Sequence, residues 1–293
     1  MKRLFTAAAL LIFASVMLGA VVCATQSGAA CPHWPGCYPD VFAPAVAMNP
    51  LIEFVHRVIA AATGPTVLTA AILGRRLVDP RPRRLAWIAL AGTISAGVFG
   101  MLVVKFGIPW WLGMIDLASA LTATVVILVA RLLLAEGARW APGPEARLAW
   151  AAVGALAAMH LLAIAVAGNN SFTRCLSWPL GVLDADRWPF LQGVRIALAI
   201  AAAGLIAVAA RRAQRLPRGW LVGRWAAGLV LLELGLGTAL VAGAEGLVVR
   251  TAFAVVAVGV FGAVALLAGR LSVTVRGEDE PGMAPVPADA TAE

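Results

Sequence analysis

The sequence predicts an all-α polytopic membrane protein, with eight transmembrane helices arranged as two tandem four-helix bundle repeats. Three observations predict it. Hydrophobic residues fill 61% of the 293 positions and charged residues only 13%, against roughly 25% charged in soluble domains; the mean hydropathy is +0.90. Eight apolar runs of about 20 residues follow one another, and a run of that length crosses the hydrocarbon core as a helix that satisfies its own backbone. Between these runs, long basic connections alternate with connections poor in charge.

The elements follow in order. The first run, near residues 4–23, has the basic start "MKR" and the small-residue stretch "VVCATQS", which also fit a secretory signal peptide. We read it as a span because the apolar stretch is long for a signal and completes one of two matching halves. Spans near 50–73, 85–104 and 111–134 complete an N-terminal unit, residues 1–140. Spans near 148–168, 189–210, 223–242 and 247–269 form the C-terminal repeat, residues 141–270. Residues 271–293, charged and rich in Pro and Ala, read as a disordered cytoplasmic tail.

Short cytoplasmic loops collect Lys and Arg. The segments "MKR", "GRRLVDPRPRR", "EGARWAPGPEAR", "RRAQRLPRGWLVGR" and the tail from Arg270 all fall on one side of the eight spans. A multi-pass protein of the cell membrane is expected, with both termini cytoplasmic and the Cys loop on the outer side. The net charge of +8 then reports topology, with anionic lipid headgroups as its counter-charge. Membrane lipid is the expected partner and a nucleic acid is not implied.

The halves resemble each other. Each has a long polar outer loop after its first span, with a cysteine and a Trp-Pro pair: "CPHWPGC" in one, "CLSWPLG" in the other. Each loop leads into a helix with an Arg shortly beyond a proline, "PLIEFVHR" and "PFLQGVR". This reads as a tandem duplication. On an oxidising outer side, disulfides persist, so a Cys31 to Cys37 disulfide, either a clasp or redox-active, is the main reading, with free thiols or a metal as alternatives. Zinc needs more ligands than His33 offers nearby. Cys175 is left as an inert thiol or as a partner of Cys23.

Polar groups inside spans are costly, about 2.5–3.5 kcal/mol for a charge at a helix centre, and so mark candidate sites. In the second span Glu53 and His56 lie three residues apart, on one helix face, with His56 about 9 Å deep at 1.5 Å per residue. Asp116 of the fourth span lies at a similar depth from the same side. An imidazole and carboxylates converging in a helical bundle suggest a haem or proton site, with Arg57 available to a propionate; a histidine bonded only to a neighbouring helix is the plainer alternative.

At these residues a family resemblance emerges. "GAVVCATQSGAACPHWPGC" followed by "NPLIEFVHRVIAAATG", with "GMLVVKFGIPWWLGMIDLASAL" further on, resembles the heme A synthase family. The resemblance implies that the N-terminal half holds haem O and oxidises one methyl group to the formyl of haem A. Haem O synthase and the haem-copper oxidase assembly machinery would then be its partners; self-association stays open. It implies His56 as ligand of the haem iron, Arg57 as a cofactor-binding residue, Glu53 and Asp116 as catalytic residues, and a disulfide-capable cysteine pair.

The chain departs from the family pattern at three of four histidines: Asp116 stands at one position, Val194 at the second, and Arg250 or Thr251 at the third. A bis-histidine haem b in the second half is therefore not expected. His160, Glu233 and the neighbouring Glu245 and Arg250 are weighed as structural polar groups, with His160 as an alternative ligand. Trp34, Trp110, Trp111, Trp178 and Trp188 fit an aromatic belt at the outer interface. Three functions stay open: a divergent heme A synthase, a haem-binding non-catalytic paralogue or oxidase-assembly factor, and a haem-free scaffold or small-molecule carrier.

Overall fold

The computed structural model describes residues 1–106, 109–168, 172–179, 188–216, 219–244 and 246–275, without the side chains of residues 103, 104 and 275. The turn at Gly107, most of the second polar loop, Glu245 and the tail from 276 lie outside the described residues. Eight helices form where hydropathy requires them: α1 (Lys2–Ala24), α2 (Met48–Gly74), α3 (Pro80–Phe106), α4 (Trp110–Leu132), α5 (Pro144–Val166), α6 (Pro189–Ala213), α7 (Trp220–Val241) and α8 (Leu247–Ser272). All are long and apolar enough to cross a membrane, and the protein is a multi-pass membrane protein. Proline opens α5 and α6, where its missing N–H is not needed.

Each group of four helices closes into a ring in chain order. α1 packs on α2, α2 on α3, α3 on α4, and α4 returns to α1; α5 to α8 repeat the same cycle. Thus α2 lies diagonally opposite α4, and α6 opposite α8. The quartets join through α1 and α4 on one side and α5 and α8 on the other. α1 is an integral member of the bundle, its Phe5, Ala8 and Ile12 buried against α2, α3 and α4.

Between membrane helices packing replaces the hydrophobic drive, so small residues collect at close crossings. Ala149, Ala152, Ala199, Ala202, Ala257 and Ala265 line the core of the second quartet. Two glycines admit contacts that a Cβ would block: one built on Gly92 of α3 would stand 2.8 Å from the Ser119 carbonyl of α4, and one on Gly262 of α8 would stand 2.4 Å from the Phe13 ring of α1.

Two ties fasten opposite ends of the bundle, the first left open in sequence as one alternative for Cys175 and the second not foreseen. A disulfide joins Cys23, at the end of α1, to Cys175 in the polar loop of the second quartet, with Cα atoms 5.3 Å apart. At the other end, strand β1 (Ala138–Trp140), in the connection between quartets, pairs antiparallel with β2 (Val273–Val275), and Trp150 Nε1 donates to Ser272 Oγ at 2.8 Å. The chain expected to become tail at 271 instead finishes α8 and adds this strand.

Candidate functional site

The first quartet is packed unevenly along its length. Its own buried core, Phe5, Ile12, Val67, Ala86, Leu90 and Ile127 among others, occupies the end rich in Arg. Toward the Cys-loop end, the buried Ala20 and Ala24 of α1 face Leu176, Ala254 and Val258 of the second quartet. His56 and Asp116 lie in this less filled half of the first quartet. His56 is eight residues into α2 and Asp116 six into α4, about 12 and 9 Å along their helices.

The His56 ring rests against α1, where a Cβ on Gly19 would stand 3.5 Å from its Cε1. Its Nδ1 is buried with no hydrogen-bond partner. Asp116, half-buried on the diagonal helix, makes no hydrogen bond or ion pair among the described residues. Buried polar side-chain atoms nearly always find partners, so the unpartnered His56 Nδ1, with the Asp116 carboxylate on the diagonal helix, marks a place able to take a further group.

Glu53 and Arg57 do different work. Glu53 is only 3% exposed, and its Oε2 accepts the backbone N–H of Cys31 at 2.9 Å. Its Oε1 pairs with the Arg57 guanidinium one turn on. Arg57 in turn donates to the carbonyls of Cys31 at 2.6 Å, Gly36 at 2.7 Å and His33. The guanidinium carries its donors in a rigid fork, and here the fork is spent on the loop rather than directed at a propionate. The loop it clamps is closed by the Cys31 to Cys37 disulfide, and no cluster of three His, Cys, Asp or Glu side chains able to hold a metal occurs among the described residues.

The second quartet repeats the clamp with other chemistry. Arg195 of α6 is fully buried and donates to the carbonyl of Ser177, the residue before the Trp-Pro pair, as Arg57 donates to that of His33. It also donates to Gln192 Oε1 at 3.4 Å and to the Met159 carbonyl at 3.3 Å. The residue before it, Val194, is 45% exposed on the outside of the bundle. Thr251 of α8 is buried without a partner for its hydroxyl, and the Arg250 guanidinium stacks 4.7 Å above the Phe172 ring. His160 is completely buried with neither ring nitrogen hydrogen-bonded. Trp178, expected at the interface, is instead 5% exposed and packs in the core of the second quartet, three residues after Cys175. Trp34, Trp111 and Trp188 do stay exposed.

These features define a class: an eight-helix membrane protein of two like quartets, each closed by a Trp-Pro loop locked to the next helix by an arginine. Two curated proteins share its sequence in part. The heme A synthase of Halalkalibacterium halodurans is 30% identical over 145 residues, 45% of this chain and 44% of that protein. The heme A synthase of Shouchella clausii is 34% identical over 136 residues, 45% of each. Over these stretches the chain is similar to heme A synthases, and it matches somewhat less than half the length of these relatives. No protein-family model matches it.

Proposed function

We propose that this protein is a heme A synthase-like membrane oxidoreductase whose substrate, haem O, is held in the first quartet, and that it converts one methyl group to the formyl of haem A. One observation carries this reading: a buried ring nitrogen of His56 without a hydrogen bond and the half-buried Asp116 carboxylate, two groups able to meet iron, lie on diagonal helices at similar depth, away from the quartet's own apolar core among the described residues. Residues and group fit, because an axial imidazole in a helical bundle is a recurrent way to hold haem. The bound haem supplies the redox centre for the oxidation. His56 binds it, with Gly19 leaving room for the ring. Asp116, on the diagonal helix, would offer a carboxylate oxygen to the iron or take a proton from water. Glu53 and Arg57 position this pair by holding the disulfide loop over the helix that carries His56. Following the positive-inside rule, the Cys-loop end faces outward and both termini lie in the cytoplasm.

A second reading, a haem-binding paralogue without catalysis, is favoured by Val194, which turns to the outside where its relatives' pattern calls for a histidine. The experiment that separates the two is purification from cells that make haem O but lack another heme A synthase, followed by chromatographic identification of the extracted haem. Haem A supports synthesis. Haem O or B alone supports the paralogue, and absence of haem rejects both. Asp116→His should shift the bound haem toward a bis-histidine, low-spin spectrum; an unchanged spectrum removes Asp116 from the site.

A further inference from the structure

We propose that the second quartet binds the ring of a membrane-soluble hydroquinone in a side cavity formed by α7, α8 and the Trp-Pro loop. The cavity has a volume of about 360 Å³ and is lined by Trp178, Glu233, Gly237 and Phe253 together with the exposed Leu234 and Val241. That volume lies within the range of small-molecule sites. Glu233 is 1% exposed, and its carboxyl group has the backbone N–H of Trp178 near it but no well-formed hydrogen bond; the Trp178 Nε1 is buried and unpartnered. Buried polar groups with no partner are rare and costly. Here an acceptor and a donor are left over in the same cavity.

The route of entry narrows the ligand. Leu234 and Val241 lie on the exposed flank of α7, which in a membrane meets acyl chains, so a ligand dissolved in the bilayer can reach the cavity from that side. Chemistry narrows it further. Glu233 needs a hydroxyl donor, Trp178 needs an oxygen acceptor, and Phe253 and Trp178 offer aromatic surfaces to a flat ring. A hydroquinone meets all of these demands, whereas the anionic head of a phospholipid or fatty acid would meet a carboxyl group. A haem does not fit, because no imidazole or thiolate lines the cavity. The inference uses no residue of the first quartet and stands or falls apart from the haem reading.

The test uses the full chain in nanodiscs of phosphatidylethanolamine and phosphatidylglycerol, titrated anaerobically with duroquinol by calorimetry. Saturable binding is expected. Its dimethyl ether, which lacks the hydroxyl donor, should bind about tenfold more weakly, as the loss of one buried hydrogen bond implies. Glu233→Leu and Trp178→Phe should each weaken duroquinol by a similar factor, while Val194→Ala leaves it unchanged. Retention of the Cys23 to Cys175 bond checks that the variants fold, and the ether comparison needs no variant. Absence of saturation, equal affinity for the ether, equal affinity of Glu233→Leu, or displacement by oleic acid would overturn the proposal.

Discussion

The two quartets share a scaffold and differ in what they do with it. In both, an arginine near the start of the second helix donates to the carbonyl before a Trp-Pro pair. The first backs its arginine with a carboxylate, Glu53, and the second with an amide, Gln192. One residue before the arginine, the first quartet carries His56 facing α1 and the second carries Val194 facing out. The loop lock is a property of the fold, present in both; the histidine just before the locking arginine belongs to one half alone.

That contrast can be tested by removing each part. The largest effect belongs to His56→Ala, which should abolish or strongly shift the Soret band of the purified protein; an unchanged band would break the assignment of haem to the first quartet. Next comes replacement of Cys23 and Cys175 together by Ser, expected to cost about 2–4 kcal/mol as the cross-link between quartets is lost, read as a lowered melting temperature in detergent. Arg195→Met should cost about 2–3 kcal/mol by leaving the Ser177 and Met159 carbonyls short of a buried donor, measured the same way. Glu53→Gln makes the first lock like the second and should cost only about 1–2 kcal/mol, with greater susceptibility of the Cys31 loop to proteolysis. Val194→His should add no second haem, since the new imidazole would point away from the interior; a second Soret component would show that α6 can rotate.

The helices were legible because a bilayer admits so few solutions. Spans expected near 4–23 and 247–269 are helices Lys2–Ala24 and Leu247–Ser272, and the intervening six agree to within five residues at each end. The Cys31 to Cys37 pairing was also legible, from the local loop. Cys23 to Cys175 was legible only as one of two alternatives for Cys175, because four cysteines allow three connectivities and the choice depends on how the quartets dock. Trp178 followed the interfacial rule in sequence, yet the docked loop carries it inward to line a cavity. Glu53 read as a site residue because a carboxylate in a span is unusual; its dual engagement by Arg57 and the Cys31 amide is a tertiary fact. The strand pair of three residues each was too short to leave a pattern.

The disulfide and the strand pair bear on motion. Carriers built from repeats work by rocking one half against the other about a central site. Here the halves are fastened at one end by a covalent bond and at the opposite end by a short ladder, so neither end can gape while both fasteners hold. Transport by alternating access would have to break one of them in every cycle. The molecule is built as a fixed frame, and whatever enters it must arrive sideways from the bilayer or through its loops.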